Sequence, residues 1–148
     1  MNDVSALYET DYYLWLQETY QSLDKKEIDR LDLPHLMEEI LSLGNEQRRK
    51  VDSYLRQLLI HLLLYQYWKL ERELCAKGWE NEIDNFRFEL ELLLESQTLY
   101  NYFLQQIEAI YVKARKQAIK KSELAPEIFP EKCNFTAANL LDSDFLPY

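Results

Sequence analysis

The sequence is poor in the residues that make turns: two glycines and four prolines in 148 residues. So little turn chemistry argues against a many-stranded β architecture. Cysteine is equally scarce. Cys75 and Cys133 are too few and too far apart for a metal knuckle. Asp3 and Glu9 stand where a secretory signal would place a basic and then an apolar segment, so the expected compartment is the cytoplasm, with both thiols reduced. Positive charge is also in deficit, 17 Lys and Arg against 26 Asp and Glu, a net of −9. That balance opposes a nucleic-acid partner, whose phosphates are bound by displacing counterions with basic side chains. Two basic runs, Arg48-Arg49-Lys50 and Lys113, Arg115, Lys116, Lys120 and Lys121, are expected to be solvated helix faces. No membrane partner is expected either. The longest apolar run, Leu58 to Tyr65, falls well short of the ~20 residues a crossing requires. There is no Gly-rich phosphate loop and no Ser, His, Asp set for acyl transfer.

What the sequence has in abundance is apolar side chains at helical spacing, 47% hydrophobic and 14% aromatic residues. Val51, Tyr54, Leu55, Leu58, Leu59, Leu62, Leu63, Tyr65 and Trp68 recur at helical intervals and become apolar on every face from Leu58. A helix of that kind is the buried axis of a bundle. The expected fold is all-α, about five helices with a docked C-terminal tail, in one domain: residues 1–7 a loose lead-in, 8–121 the bundle, 122–148 the tail.

Along the chain, a first helix is expected from Tyr8 to Leu23, with Thr10 or Asp11 as a cap, then a charged connector to Leu31 holding at most a helical turn. Tyr8, Tyr12, Tyr13, Trp15 and Tyr20 are expected to pack with their hydroxyls at the rim. Asp32 to Leu43 forms a short helix with Pro34 in its first turn, and Gly44 and Asn45 end it and start the central one. A further break is expected at Cys75 to Gly78. Ser96 or Thr98 caps the last long helix, which fades at Lys120 and Lys121. Pro126 and Pro130 close the helical part. Phe129, Phe135, Leu140, Leu141, Phe145 and Leu146 make the tail too apolar to stay undocked, and Thr136 caps a short helix in it.

Four patches in fixed order resemble one bacterial family, known as domain of unknown function twenty-nine. They are Tyr8-Glu-Thr-Asp11 with Trp15; Asp32, His35-Leu36-Met37-Glu38-Glu39-Ile40 and Leu43-Gly44; Leu58-Leu59-Ile60-His61-Leu62-Leu63; and Phe129-Pro130, Cys133, Phe135, Leu140-Leu141-Asp142, Phe145 and Pro147. Leu64, Tyr65 and Asn134 depart from the family pattern, which commonly has lysine, tryptophan and proline there. The resemblance implies a compact helical domain encoded as a stand-alone bacterial protein, and it implies no activity.

Six polar residues are candidates for a site: Asp11, Asp32, His35, Glu38, Glu39 and His61. His35 shares a helix face with Glu38 and Glu39, and with His61 would offer a donor set for zinc, iron or manganese. If the two central helices made a tight hairpin about Gly44, however, His61 would lie ~10 Å beyond the level of His35. In that hairpin Glu38 and Glu39 would pair with Arg49 and Lys50, and Asp32 with His35. Arg56 and His61 suggest the Arg-spacer-His signature of helical ribonucleases, but five residues on one helix leave them about 140° apart. Asp52 is a ready partner for Arg56, and Gln57 one for His61. Cys133, beside Glu131 and Lys132, fits a docked structural thiol better than a reactive one. The reading that leads is a non-enzymatic protein-interaction or regulatory module without a cofactor, with self-association open. The alternative is a metal-dependent enzyme holding a divalent transition metal on His35, Glu38 and Glu39 with His61 or Asp11, and a ribonuclease ranks last.

Overall fold

The structure, a computed structural model, describes residues 3–148. It is all-α: α1 Val4–Thr10, α2 Tyr12–Asp24, α3 Leu33–Tyr67, α4 Lys69–Leu93, α5 Gln97–Ser122 and α6 Ala137–Leu141. Single 3-10 turns lie at Ile28–Arg30 and Pro126–Ile128, and there is no strand among the described residues. The chain divides into two compact units, Met1–Glu46 and Gln47–Tyr148.

The first unit is small and held by polar hinges. Asp3 caps α1 by accepting from the Ser5 amide. Asp11 then works twice: its amide closes α1 on the Leu7 carbonyl, and its carboxylate accepts from the Leu14 amide to start α2. The expected lead-in is therefore largely helical from Val4, while Met1 and Asn2 lie outside the described residues. Lys26, in the left-handed region at φ 59°, turns the chain after α2 toward the expected helical turn at Ile28–Arg30. Among the described residues of this unit, Trp15 is the one large apolar side chain that is buried.

The second unit has a real core. Leu55, Leu58, Leu59, Leu62, Leu63 and Leu64 of α3 are fully buried against Ile83 and Leu90 of α4 and Phe103, Tyr111, Ala114 and Ala118 of α5. The buried axis is where the apolar run placed it. Ser96 caps α5 by accepting from the Leu99 amide, and Lys120 and Lys121 occupy its last turn. Glu123, at φ 59°, ends α5 in a left-handed turn.

Two expected breaks do not occur. α3 runs unbroken through Gly44 and Asn45, and α4 through Cys75 and Gly78; the break between them falls at Trp68 instead. A helix-ending glycine acts by adopting positive φ, and neither glycine does. Gly inside a helix costs only about 1 kcal/mol, which the good helix formers around it absorb. There is consequently no central hairpin within the chain, and the pairing of Glu38 and Glu39 with Arg49 and Lys50 across it does not form. Asp52 does not pair with Arg56 either. It accepts from the Tyr102 hydroxyl and Gln106, while Arg56 donates to Gln117.

The tail docks as expected, and two arginines hold it. Arg87, 5% exposed, donates to the carbonyls of Asn139, Leu140 and Phe145 at 3.0, 2.9 and 2.8 Å. Arg115 donates to those of Pro126 and Phe129, so it is not a purely solvated member of its basic run. Phe129, Phe135 and Leu140 of the tail are buried, and Thr136 with Asn139 forms a capping box on α6.

Candidate functional site

The candidate residues that come together do so in the first unit. Asp32 sits just before α3 and accepts four times over: from the Trp15 indole at 3.0 Å, from the His35 amide, from His35 Nδ1 at 2.6 Å, and through its own carbonyl from the Leu36 amide. About two turns further on, Glu39 accepts from the Tyr8 hydroxyl at 2.6 Å and the Tyr12 hydroxyl at 2.7 Å. Tyr8 joins the two halves, since its ring also stacks on His35 at 4.0 Å. The residues that complete the site are the aromatics, Tyr8, Tyr12 and Trp15. Their spacing of four and three on consecutive turns was visible in the sequence, but it signals packing and does not say which carboxylate each hydroxyl meets.

Each charge in this network is balanced by hydrogen bonds. Burial raises the Asp32 carboxyl, but the bonds from His35 and Trp15 outweigh it and hold the group below the usual carboxylate range. The bond to Asp32 raises the His35 imidazolium against a smaller opposing effect of burial. Glu39 is lowered by the hydroxyls of Tyr8 and Tyr12, and the same bond pushes Tyr8 up to about 12.

The Asp32–His35 pair fixes the imidazole with Nδ1–H on the carboxylate and leaves Nε2 as the only nitrogen able to exchange a proton. A base of that kind needs a substrate cleft. Two open surface hollows are lined by Gln47, Lys50, Tyr54, Glu89, Leu92, Leu93, Glu95, Ser96 and Leu99, and by Leu16, Gln17, Glu18, Tyr20 and Gln21, and none of the six candidates lines either.

The other candidates stand apart. Asp11 is a helix cap, and Glu38 is exposed. His61 belongs to the second unit, 26 positions along the chain from His35 in the first. Its Nδ1 is 2.8 Å from the Gln57 carbonyl, its Nε2 is 3.9 Å from Glu82, and its ring rests edge-on against Phe86. Burial lowers its basicity. The Gln57 contact is with its backbone carbonyl, which any residue at that position would offer, and not with its side-chain amide. Among the described residues no group of three or more His, Cys, Asp or Glu could hold a metal ion. Both cysteines are free; burial raises the Cys133 thiol, and a bond to Glu71 raises Cys75.

The family model described as Domain of unknown function DUF29 matches residues 7–146. The chain belongs to that family. Its match spans both units, from the Tyr8 and Asp32 network to the Arg87-held tail, so the DUF29 pattern covers the whole arrangement. No curated protein and no solved structure matches the chain. Among the described residues no helix is long and apolar enough to cross a membrane.

Proposed function

We propose that this DUF29 protein is a non-enzymatic protein-interaction module of the bacterial cytoplasm, working without a cofactor. One observation carries the reading. From Ile40 to Lys50 every residue of α3 is exposed, so the helix stands bare on all sides while carrying Ile40, Leu41 and Leu43. Leu33 and Met37 extend the apolar surface, and α2 adds Tyr12, Tyr13, Leu16, Tyr20 and Leu23. Most helical stability in proteins comes from packing an apolar face, and a contiguous apolar surface of this extent marks a contact site. The polar network supports the same role. With Asp32, His35 and Glu39 each engaged, its chemistry is that of a clasp holding α1, α2 and the start of α3 in one shape.

The test is a photo-crosslinking amino acid placed at Leu41 in living cells, with one at exposed Lys116 as control. A discrete protein adduct from Leu41 alone is the expected result. No adduct from Leu41, or the same adducts from both sites, would overturn the proposal.

A further inference from the structure

The second unit turns a different surface to solvent, along the outside of α4. Trp79, Ile83, Arg87 and Leu90 face the core, and on the opposite side Leu70, Leu74, Asn81, Phe88 and Leu92 fall within about 40° of one another. All five are exposed. Leu70 and Leu74, at 82% each, are the most exposed large hydrophobics among the described residues. Single exposed leucines are ordinary, but four large apolar side chains on one line of a helix make a face. The whole of α4 lies in the second unit, so this face owes nothing to the first.

The line is symmetric about its middle. α4 runs from Lys69 to Leu93, which makes Asn81 its central residue with twelve on either side. Leu74 and Phe88 lie seven residues before and after it, and Leu70 and Leu92 eleven. Read from either end, the order is two apolar residues, Asn81, two apolar residues. Two such helices laid antiparallel with Asn81 at the two-fold axis therefore set each Leu74 against the second copy's Phe88 and each Leu70 against its Leu92. The Asn81 amide both donates and accepts, so the pair at the axis can bond reciprocally, and one polar residue in an apolar seam fixes register.

Charge fixes the direction. Lys77 and Asp84 stand about 40° and 60° to the same side of Asn81, and neither has an ion-pair partner among the described residues. Within one helix they are about 10 Å apart and do not meet. A perpendicular two-fold keeps each flank on its own side, so antiparallel packing brings Lys77 to within ~1.5 Å, along the axis, of the level of the second copy's Asp84. A parallel pair would set lysine on lysine and aspartate on aspartate. The next carboxylates, Glu71, Glu73, Glu89 and Glu91, lie about 80° off the line, at outer edges where salt screens them. With fourteen basic and fifteen acidic side chains the second unit is close to neutral, and the negative excess of the chain lies in the first.

We infer that the outer face of α4 is a self-association surface, taking a second copy of this chain through antiparallel α4 helices centred on Asn81. It goes beyond the interaction reading, which rests on the start of α3 and leaves that face free for another protein. At roughly 100 Å² for each of four apolar side chains, one copy offers about 400 Å², half of the ~800 Å² per partner of a standard interface. The dimer is accordingly of the weak, exchanging class, with a dissociation constant in the tens of micromolar. Every contact occurs twice in it, Lys77 with Asp84 included.

Sedimentation equilibrium of the full chain from micromolar to several hundred micromolar, at moderate salt, tests it. Wild type is expected to pass from the chain mass to twice that mass over this range. Leu74→Asp, at an exposed position that folding does not need, should weaken the dimer roughly tenfold or more, and the dilute protein should melt as wild type does. Asn81→Lys, which sets like charges on the axis, should do the same. Lys77→Glu should weaken it about fivefold, and adding Asp84→Lys should restore it, which a parallel pair would not show. A wild-type monomer throughout, or a dimer indifferent to Leu74→Asp and Asn81→Lys, overturns the inference. Failure of the charge reversal to restore a well-folded double variant overturns the antiparallel arrangement on which it is built. Either failure leaves the Leu41 crosslink, and with it the interaction reading, untouched.

Discussion

The two halves of α3 carry the same stripe and meet opposite surroundings. Val51, Leu55, Leu58 and Leu62 are wholly buried, whereas Leu33, Met37, Ile40 and Leu41 on the same line are at least half exposed, Leu41 at 66% against 0% for Leu62. Periodicity therefore tells which face of a helix wants cover. It does not tell whether the cover belongs to the same chain. The second unit answers its stripe with α4, α5 and the tail; the first answers part of its own with Trp15 and a polar clasp, and leaves the rest bare.

The largest expected effect is at the centre of the covered half. Leu62→Asp puts an unpaired charge into the core, and a loss of more than about 4 kcal/mol should abolish the cooperative melt. Leu41→Asp, the same change on the bare half, should move the melt of dilute protein by no more than ~0.5 kcal/mol. Similar melts for the two variants would erase the contrast between the halves.

Next in size is Trp15→Ala. It removes a large, fully buried apolar side chain of the first unit and one of the donors that hold Asp32. A cost of about 3–5 kcal/mol is expected, confined to that unit. Hydrogen exchange should speed up in α1 and α2 and remain slow in α5. Equal acceleration in both units would mean that Trp15 supports the whole chain.

Arg87→Met should cost about 2–3 kcal/mol, because three tail carbonyls lose their donor together. Limited proteolysis should then cut between residues 126 and 148 first, and deletion of that segment should raise dye binding by exposing the surface that Phe129 and Leu140 cover. A variant as resistant as wild type would show that apolar docking alone holds the tail.

These residues also mark how far the sequence could be followed. The helices, the axis at Leu58 to Tyr65, the Ser96 and Thr136 caps and the Asp32–His35 bond were legible, because each is set by spacing within a few residues. The breaks were not. Glycine marks a stop only where the chain turns left-handed, and here that conformation went to Lys26 and Glu123, which carry no such signal. Arg87 left a trace that composition hides: it occupies a core position four residues after Ile83 and three before Leu90. Its acceptors are backbone carbonyls more than 50 residues away, and carbonyls have no sequence signature. The partners of Glu39 were hidden for a similar reason, since the spacing that placed Tyr8 and Tyr12 on one face also fits simple packing.

The smallest effect is also the most specific, because the two histidines should respond to pH in opposite senses. The bond to Asp32 raises His35 above its ordinary value near 6.5. Its contribution to the first unit is thus complete below that value and is lost as pH rises through the raised one. Burial lowers His61, so its contribution to the second unit is complete above about 6.5 and is lost as pH falls toward the lowered value. Asp32, itself lowered, stays ionised across this window and keeps its bond to His35. Acidification from mildly alkaline to mildly acidic conditions should tighten α1 and α2 while loosening the middle of α3 around His61. Imidazole titration by NMR would give the two directions, and hydrogen exchange at the two ends of the window would give their consequences. His35→Asn should flatten the first response only, and His61→Asn the second only. If both rings titrate to the same side of 6.5, then the clasp in the first unit and the core in the second treat a charge alike, and the difference between the units reduces to how much apolar surface each one covers.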